Sequence, residues 1–303
     1  MNTELTLVIM AAGLGSRFGG DKQLAALGPA GEPMLVLSIM SAIRSGFQRA
    51  VLVIRPELES ELTEILTRFL PADFEYHFCY QVLTDLPEAA QLADLSHRLK
   101  PWGTAHALWS ARHLVKGPMA VINADDFYGD SAFVSLAKGL SMRPTEWMMV
   151  AYPIELTLSE HGGVNRGLCQ VENGQLKSVA EWLNIAEQAG HLMGDGPQGH
   201  ANLPAHSLVS MTCWGFSPSI FDVIKRELTE FIGQQGQQPK SECYLPAIVQ
   251  AGIEQGLPVY VDVACEPWLG VTYPQDTVWV KQKLTELLSD KTHQAVSVAS
   301  FWY

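Results

Sequence analysis

The sequence predicts an α/β protein built on one doubly wound, mainly parallel (mixed) sheet. Through the first half of the chain, apolar runs of strand length alternate with segments of helical periodicity. Several of these runs are apolar at consecutive positions, which is typical of strands covered on both faces. The chain of 303 residues is 47% hydrophobic and 17% charged, so it is long and apolar enough to bury a substantial core.

The first half supplies strands and helices in alternation, an order that brings successive parallel strands into one sheet. The predicted strands are Leu5–Met10, Ala50–Arg55, Phe74–Gln81, Met119–Ala124 and Trp147–Ile154. The predicted helices are Met34–Ser45, Glu57–Phe69, Gly103–Val115 and Ser131–Ser141.

The pattern then changes to antiparallel pairing. The runs Leu168–Glu172 and Leu176–Glu181 flank Asn173-Gly174, a dipeptide that favours a two-residue hairpin turn. The later predicted elements are a strand at Leu208–Phe216, a helix at Ser219–Ile232, a polar loop at Gly233–Gln238, a helix at Leu245–Gln255, a strand at Pro258–Ala264 and a helix at Thr277–Leu288. We expect a single domain over residues 1–290, with halves of about 1–155 and 156–290.

The C-terminal tail, residues 291–303, ends in three aromatic residues. We expect Ala295–Tyr303 to form an edge strand or a self-association patch, or to fold over its own core. A homo-oligomer is therefore one expectation.

Charge and cysteine content exclude several classes of function. The 20 basic and 32 acidic residues give a formal net charge of −12 with no basic run, which argues against nucleic-acid binding. The five cysteines are far apart and form no CxxC pair, so we expect small buried hydrophobic residues rather than disulfides or a zinc site. The apolar run Leu5–Ala12 is too short to span a membrane, and we expect a cytoplasmic protein.

A glycine-rich loop follows the first predicted strand. The loop fits neither a dinucleotide fingerprint, because Phe18 stands where the third glycine belongs, nor a P-loop, because Asp21 displaces the lysine. Glycines let the backbone approach an anion, and the nearby Arg17 and Lys22 can hold a triphosphate. The candidate nucleotide-binding residues of this loop are Ala11, Ala12, Gly13, Gly15, Arg17 and Lys22.

Two further motifs carry candidate residues. Gly103 and Thr104 stand just ahead of a predicted helix, where backbone groups can meet the edge of a nucleobase. Asp125 and Asp126 follow a buried strand, at the edge where such sheets bind ligands, and hard carboxylate oxygens suit Mg²⁺. Asp125 is the candidate metal ligand. Asp126 is interpreted as a loop cap or as a group that supports the metal ligand, and His106 as helix packing.

Three segments of the sequence resemble the nucleotidyltransferases that make NDP-sugars and related activated compounds. The glycine loop AAGLGSRFGGDKQL resembles their signature, and its GGDK arm is also similar to the molybdopterin nucleotidyltransferases, while the isoprenoid cytidylyltransferases share its outline. GTAHAL resembles the segment that recognises the base, and NADDFYG the strand that ends at the metal ligand. The resemblance implies the Rossmann-like nucleotide-diphospho-sugar transferase (GT-A-like) fold over roughly residues 5–290.

The same resemblance implies roles for further residues. Gln81, at the end of the third strand, takes the place of a base-reading glutamine. The first half would bind the NTP and the second half the acceptor, through Gly167, Glu181 and Thr212. A second metal ligand is expected near Glu266–Asp276, where Asp276 is the candidate unless it only caps the last helix.

We therefore expect an enzyme that transfers NMP from an NTP to a phosphorylated small molecule, with Mg²⁺ as cofactor and a sugar 1-phosphate as the foremost acceptor. The catalytic candidates are Arg17, Lys22 and Asp125. Two alternatives remain: a cytidylyltransferase acting on phosphocholine or another non-sugar phosphate, and a regulatory protein that binds nucleotides without catalysis. The sequence identifies neither the base nor the acceptor.

Overall fold

The computed structural model of the chain describes residues 4–13, 24–90, 95–159, 162–188, 190–271 and 276–299. Most of its strands belong to one large mixed sheet, and helices cover both faces of that sheet.

The elements of the first half alternate as the sequence predicts. They are β1 (Thr6–Met10), α1 (Met34–Arg44), β2 (Arg49–Ile54), α2 (Glu59–Phe69), β3 (Glu75–Tyr80), α3 (Thr104–Ser110), β4 (Met119–Asn123), β5 (Asp126–Phe127), α4 (Asp130–Met142) and β6 (Trp147–Pro153). Strands β3, β2, β1 and β4 are adjacent in that order and pair in parallel. Their carboxyl ends therefore meet at one edge of the sheet.

The second half adds mostly antiparallel strands. Its elements are β7 (Val164–Glu172), β8 (Gln175–Gln188), β9 (His191–Gly196), β10 (Gly199–Asn202), β11 (Leu208–Phe216), α5 (Ile220–Gln235), α6 (Leu245–Glu254), β12 (Val259–Val263), β13 (Leu269–Gly270) and α7 (Asp276–Ala299). Strand β11 lies antiparallel between β4 and β6, and β12 pairs in parallel with β6. The main order is β10-β9-β8-β12-β6-β11-β4-β1-β2-β3, and β7 pairs with β11 and β8.

Alternate residues of each central strand enter two separate cores. In β1, Leu7 and Ile9 belong to the core beneath α1, α2 and α4, whereas Val8 and Met10 belong to the core beneath α3, α5 and α6. All four are buried. Full burial of one such side chain stabilises the fold by about 1.5–3 kcal/mol, so both faces of this strand must remain covered.

Parts of the second half differ from the expectation. The hairpin turn at Asn173 and Gly174 is present, with φ values of 53° and 72° that a type I′ turn requires. Strand β8, however, runs to Gln188 and continues into the β9–β10 hairpin, which lacks a turn dipeptide of that kind. Helix α5 extends to Gln235, through half of the predicted loop Gly233–Gln238.

The prediction of an edge strand at the C-terminal tail is wrong over residues 295–299, which belong to helix α7. Residues 300–303 lie outside the described residues. The predicted helix Thr277–Leu288 continues for eleven more residues, because residues 289–299 contain no glycine or proline that would end it. Among the described residues, no helix has both the length and the apolar character needed to cross a membrane.

The cysteine expectation holds for most positions. Cys213 and Cys243 are buried, and Cys79 and Cys169 are half-buried; burial raises the pKa of the Cys79, Cys169 and Cys243 thiols to about 12. Cys265 is exposed, because it follows the end of β12 in a surface loop, so the expectation of burial is wrong there. None of the five forms a disulfide.

Candidate active site

A cavity of about 340 Å³ lies at the carboxyl ends of β1, β3 and β4, beside the first turn of α3. This is the edge of the sheet at which doubly wound folds bind ligands. Its lining comes from both halves of the chain: Met10, Ala12, Gly13, Gln81, Lys100, Pro101, Gly103, Thr104, Ala107, Asn123, Asp125, Glu242 and Tyr244.

The glycine loop leaves the sheet at the floor of this cavity. Ala12 and Gly13 line it, whereas the side chain of Ala11 packs into the core beneath α1. The Ala11 amide donates to the Val53 carbonyl at 2.8 Å, which extends the pairing of β1 with β2 by one residue. Gly15, Arg17 and Lys22 lie outside the described residues, so their predicted contacts with phosphates stay predictions.

Gly103 brings the start of α3 against the segment that precedes α6. Its φ of 97° is a conformation that L side chains rarely adopt, and an added Cβ would lie 2.5 Å from the Cys243 carbonyl oxygen. The Ala105 amide donates to that same carbonyl, and the Leu245 amide donates to Thr104 Oγ1 at 2.8 Å. Glycine is therefore needed here both for its backbone conformation and for close approach of two chain segments.

The side-chain amide of Gln81 is held from two directions. Its Nε2 lies 3.0 Å from the Gly103 carbonyl oxygen and 3.1 Å from His106 Nδ1. His106 is fully buried, and its Nε2 bonds to the Asp85 carbonyl oxygen at 3.0 Å. Burial lowers the pKa of His106 to about 4, so the ring is neutral at pH 7.

The two acidic residues after β4 lie in different surroundings. Asp125 lines the cavity. Asp126 is buried, and its Oδ2 accepts hydrogen bonds from Asn123 Nδ2 at 2.9 Å and from the Tyr128 hydroxyl at 3.3 Å. Asp125 thus lies at the cavity and Asp126 bonds to the residues around it, and the metal-binding role of Asp125 stays a prediction.

Three polar residues of the cavity wall were not predicted. Glu242 Oε2 lies 3.2 Å from Lys100 Nζ and accepts a hydrogen bond from the Tyr244 hydroxyl at 2.9 Å. Lys100 lies next to the predicted Gly-Thr turn, so its position along the chain could have indicated it. Glu242 and Tyr244 belong to no motif, and only the fold brings them to the cavity.

The predicted acceptor residues lie on adjoining strands. Gly167 of β7 pairs with Glu181 of β8 and with Ser210 of β11. Burial raises the pKa of Glu181, and the charge of Arg166 opposes that shift. Burial, the hydrogen bond to Glu242 and the charges of Glu242 and Glu181 raise the pKa of Tyr244. Tyr244 also lines the cavity.

Thr212 lies in an irregular stretch of β11. The register of β11 against β6 shifts between Ser210 and Trp214, and Thr212 has a φ of 58°. Its carbonyl oxygen accepts a hydrogen bond from the Tyr128 hydroxyl at 3.2 Å, which links it to the network of Asp126. The bulge thus positions the backbone of Thr212 toward the end of β4.

Asp276 does not line the cavity that contains Asp125. It is the first residue of α7, is buried, and accepts a hydrogen bond from Ser159 Oγ at 3.1 Å. Within the part of the chain that the structure describes, no group of three or more His, Cys, Asp or Glu side chains could hold a metal ion. The role of Asp276 as second ligand stays a prediction, and the cavity gives it no support.

Residues 7–111, which form the floor of the cavity and much of its wall, match the family model of the MobA-like NTP transferase domain. The match covers the glycine loop, Gln81 and the Gly103-Thr104 turn, and it agrees with the resemblance that the sequence predicts. No protein with a curated description matches the sequence.

Solved structures match nearly the whole chain and confirm the predicted fold. One is assigned as a glucose-1-phosphate thymidylyltransferase from Bacillus anthracis in complex with sucrose, at 12% identity and a TM-score of 0.62, covering 92% of this chain and 95% of that one. Another is the inositol-1-phosphate CTP transferase from T. maritima, at 12% identity and a TM-score of 0.57, with coverage of 94% of this chain and 98% of that one. A third is HddC from Yersinia pseudotuberculosis complexed with GMP-PN, at 15% identity and a TM-score of 0.55, covering 94% and 100%.

Proposed function

We propose that this protein transfers NMP from an NTP to a phosphorylated small molecule, a sugar 1-phosphate foremost, and releases pyrophosphate. One observation carries the proposal. Within a fold shared with nucleotidyltransferases, a single cavity brings together the glycine-loop backbone at Gly13, the Gly103-Thr104 turn and the carboxylate of Asp125. These are the three groups that the transfer requires at the phosphates, the base and the metal.

The reaction is an in-line displacement at phosphorus. An oxygen of the acceptor phosphate attacks the α-phosphorus, a new P–O bond forms, and the bond to the bridging oxygen of pyrophosphate breaks. No covalent enzyme intermediate is required, because positioning and charge neutralisation supply the rate enhancement. In this proposal Arg17 and Lys22 hold the β- and γ-phosphates and stabilise the leaving pyrophosphate.

Mg²⁺ fits the groups at the phosphate end of the cavity. Asp125 can supply a hard carboxylate oxygen, and Asn123, whose side chain also carries an oxygen, lines the same cavity. Nucleotide-bound Mg²⁺ usually takes one or two protein carboxylates and keeps phosphate and water oxygens as its other ligands. When bound, the ion neutralises charge on the phosphates, and Asp125 fixes its place beside the carboxyl end of β4.

The acceptor would bind between Tyr244 and the β7–β8 hairpin. Gly167, which pairs with Glu181, lets Val179 pack closely against the strand, because an added Cβ would lie 2.8 Å from Val179 Cγ1. Glu181 can accept hydrogen bonds from hydroxyl groups, which a sugar phosphate offers in number. This chemistry favours a polyhydroxylated acceptor over phosphocholine.

The decisive experiment measures pyrophosphate release with Mg²⁺, each of ATP, CTP, GTP, UTP and dTTP, and a panel of sugar 1-phosphates plus phosphocholine. Release with one NTP–acceptor pair, abolished in Asp125→Ala, would identify both substrates. Release with phosphocholine alone would favour the cytidylyltransferase alternative. Tight binding of Mg²⁺–NTP without release across a broad acceptor panel would favour the regulatory alternative, and absence of any NTP binding would overturn the proposal.

A further inference from the structure

The wall of the cavity that carries Glu242 and Tyr244 comes from a segment far along the chain from the glycine loop. This segment, residues 236–244, lies between α5 and α6 and pairs with residues 95–103, which precede α3. The Leu99 amide donates to the Pro239 carbonyl oxygen at 2.9 Å, and the Cys243 amide donates to the Trp102 carbonyl oxygen at 2.7 Å. We call these two paired segments the double wall.

Arg98 joins the two segments of the double wall through its guanidinium group. On its own side, Nη2 donates to the carbonyl oxygens of Lys100 at 2.9 Å and Pro101 at 3.2 Å. Across the wall, Nη1 donates to the Gln238 carbonyl oxygen at 2.6 Å, and Nη2 to the Ser241 carbonyl oxygen at 2.8 Å. One side chain therefore satisfies four main-chain carbonyl groups of two segments that are about 140 residues apart.

The guanidinium plane also stacks on a buried ring. Arg98 Cζ lies 3.7 Å from the centre of the Trp102 ring, and Trp102 is itself fully buried with its Nε1 donating to the Leu83 carbonyl oxygen at 3.0 Å. Arg98 is 7% exposed, and burial lowers its pKa. Burying a cation is costly unless its donors are bonded. Among the described residues the buried Nε of Arg98 has no partner, so its two Nη groups fix the position of the guanidinium group.

The residues bonded by Arg98 stand next to the lining of the cavity. Lys100 and Pro101 line it from one segment, and Glu242 follows Ser241 in the other. The ion pair between Lys100 Nζ and Glu242 Oε2, at 3.2 Å, crosses the same junction. The separation of the two segments sets the distance from this pair to Gln81 and Gly103, where a base would lie.

We propose that Arg98 is a positioning residue for the nucleoside part of the NTP, a role that rests on the proposed function. Arg98 touches no substrate; it fixes the double wall so that Lys100, Glu242 and Tyr244 face the base and ribose at the distance needed for binding. Lysine cannot replace it, because an ammonium group lacks the planar set of donors that reaches four carbonyl oxygens at once.

The test compares nucleotide binding in Arg98→Ala, Arg98→Lys and a control, Arg143→Ala. Arg143 also stacks on an aromatic ring, that of Tyr260 at 4.1 Å, but it lies outside the cavity lining. Binding of a non-hydrolysable analogue of the preferred NTP is measured by calorimetry, and thermal unfolding is followed in parallel. We expect Kd to rise at least about tenfold in both Arg98 variants and to stay unchanged in Arg143→Ala.

Two further measurements separate positioning from general destabilisation. Hydrogen exchange of residues 95–103 and 236–244 should accelerate together in Arg98→Ala while the exchange of β1 and β4 stays slow. Millimolar guanidinium ion should restore part of the nucleotide affinity of Arg98→Ala. It should not raise the affinity of Arg98→Lys, because the lysine side chain still occupies the site.

The possible results distinguish failure of the role of Arg98 from failure of the proposed function. Unchanged nucleotide affinity in a folded Arg98→Ala protein overturns the role of Arg98 and leaves the proposed function intact. Equal acceleration of exchange throughout the sheet, with no rescue by guanidinium, also overturns it, because Arg98 would then only stabilise the fold. If the wild-type protein binds no NTP, the proposed function fails, and this role fails with it.

Discussion

Gln81 Nε2 donates a hydrogen bond to His106 Nδ1 across 3.1 Å, and this contact determines which atom of the Gln81 amide remains for a ligand. The His106 ring uses its Nε2 hydrogen for the Asp85 carbonyl oxygen and is neutral, so its Nδ1 can only accept. The Gly103 carbonyl oxygen accepts the other hydrogen of Gln81 Nε2. Of the Gln81 amide, only Oε1, which is an acceptor, therefore remains for a ligand in the cavity.

Replacing His106 should loosen this arrangement. In His106→Leu the Gln81 amide loses one of its two partners and can rotate. We therefore expect the affinity for the preferred NTP to fall about tenfold and the differences in affinity among the five NTPs to become smaller. Calorimetry with non-hydrolysable analogues measures both quantities. His113→Leu, at an exposed position after α3, is the matched control. A variant that keeps its full preference would show that His106 does not orient Gln81.

The same histidine should make folding stability depend on pH. Its folded pKa of about 4 lies below the ordinary value of 6.5, so the unfolded chain binds the proton first as the pH falls. Stability from this group is present above pH 6.5 and is lost as the pH falls towards 4, by about 2 kcal/mol between about pH 7 and about pH 5. Urea unfolding at the two pH values should show this loss in the wild type and a smaller loss in His106→Gln.

Gly103→Ala should damage both stability and the cavity. The left-handed φ of 97° disfavours alanine, and the new Cβ would meet the backbone of Cys243 at 2.5–3.0 Å. We expect the free energy of unfolding to fall by about 2–4 kcal/mol and nucleotide binding to weaken. Gly174→Ala is the control, because Gly174 also has a positive φ but an added Cβ would meet no other atom. The free energy of unfolding of this variant should fall by about 1–2 kcal/mol. Equal losses in denaturant unfolding would contradict the close approach at Gly103.

Asp125→Asn should abolish turnover while the protein stays folded. The substitution removes the negative charge that we assign to Mg²⁺, so kcat/KM should fall at least about 10²-fold, and so should that of Lys22→Ala. The control is Asp262→Asn, which removes an exposed carboxylate near the end of β12 and should leave kcat/KM at the wild-type value. Turnover near the wild-type rate in Asp125→Asn would remove Asp125 from the mechanism.

Glu181→Gln should affect the acceptor and not the nucleotide. Glu181 lies on β8 opposite Gly167 and outside the nucleotide cavity lining, so we expect the KM for the acceptor to rise about tenfold while the Kd for the NTP analogue stays constant. The exposed Glu172 on β7 provides the control variant Glu172→Gln. An equal change in both constants would show that Glu181 serves the nucleotide instead.

The sequence predicted those parts of the site that depend on local backbone chemistry. A glycine loop after a buried strand, a Gly-Thr pair before a helix and an acid at the end of β4 each have a local reason to be recognisable. Together with apolar runs on consecutive positions, they also predicted the parallel half of the sheet, because strands buried on both faces leave that pattern.

The sequence could not predict the residues that only tertiary pairing brings to the cavity. Glu242 and Tyr244 precede α6 without a motif, and their place depends on hydrogen bonds between Cys243 and residues of the Gly103 turn. The continuation of β8 into β9 and β10 was missed because exposed strands contain mixed polar residues with no clear alternation. His106 was recognised as a packing residue, but its hold on Gln81 depends on a contact across 25 positions.

The double wall also governs when the cavity can exist during synthesis. Ribosomes deliver the chain from the N-terminus, and N-terminal parts generally fold first. Residues 7–111 match the NTP transferase family model, yet Gly103 packs against Cys243, and Arg98 bonds across the double wall to Gln238 and Ser241. A nascent chain must therefore grow by about 140 residues beyond Arg98 before the double wall can form, and a fragment that ends at residue 111 would lack the wall that carries Glu242 and Tyr244.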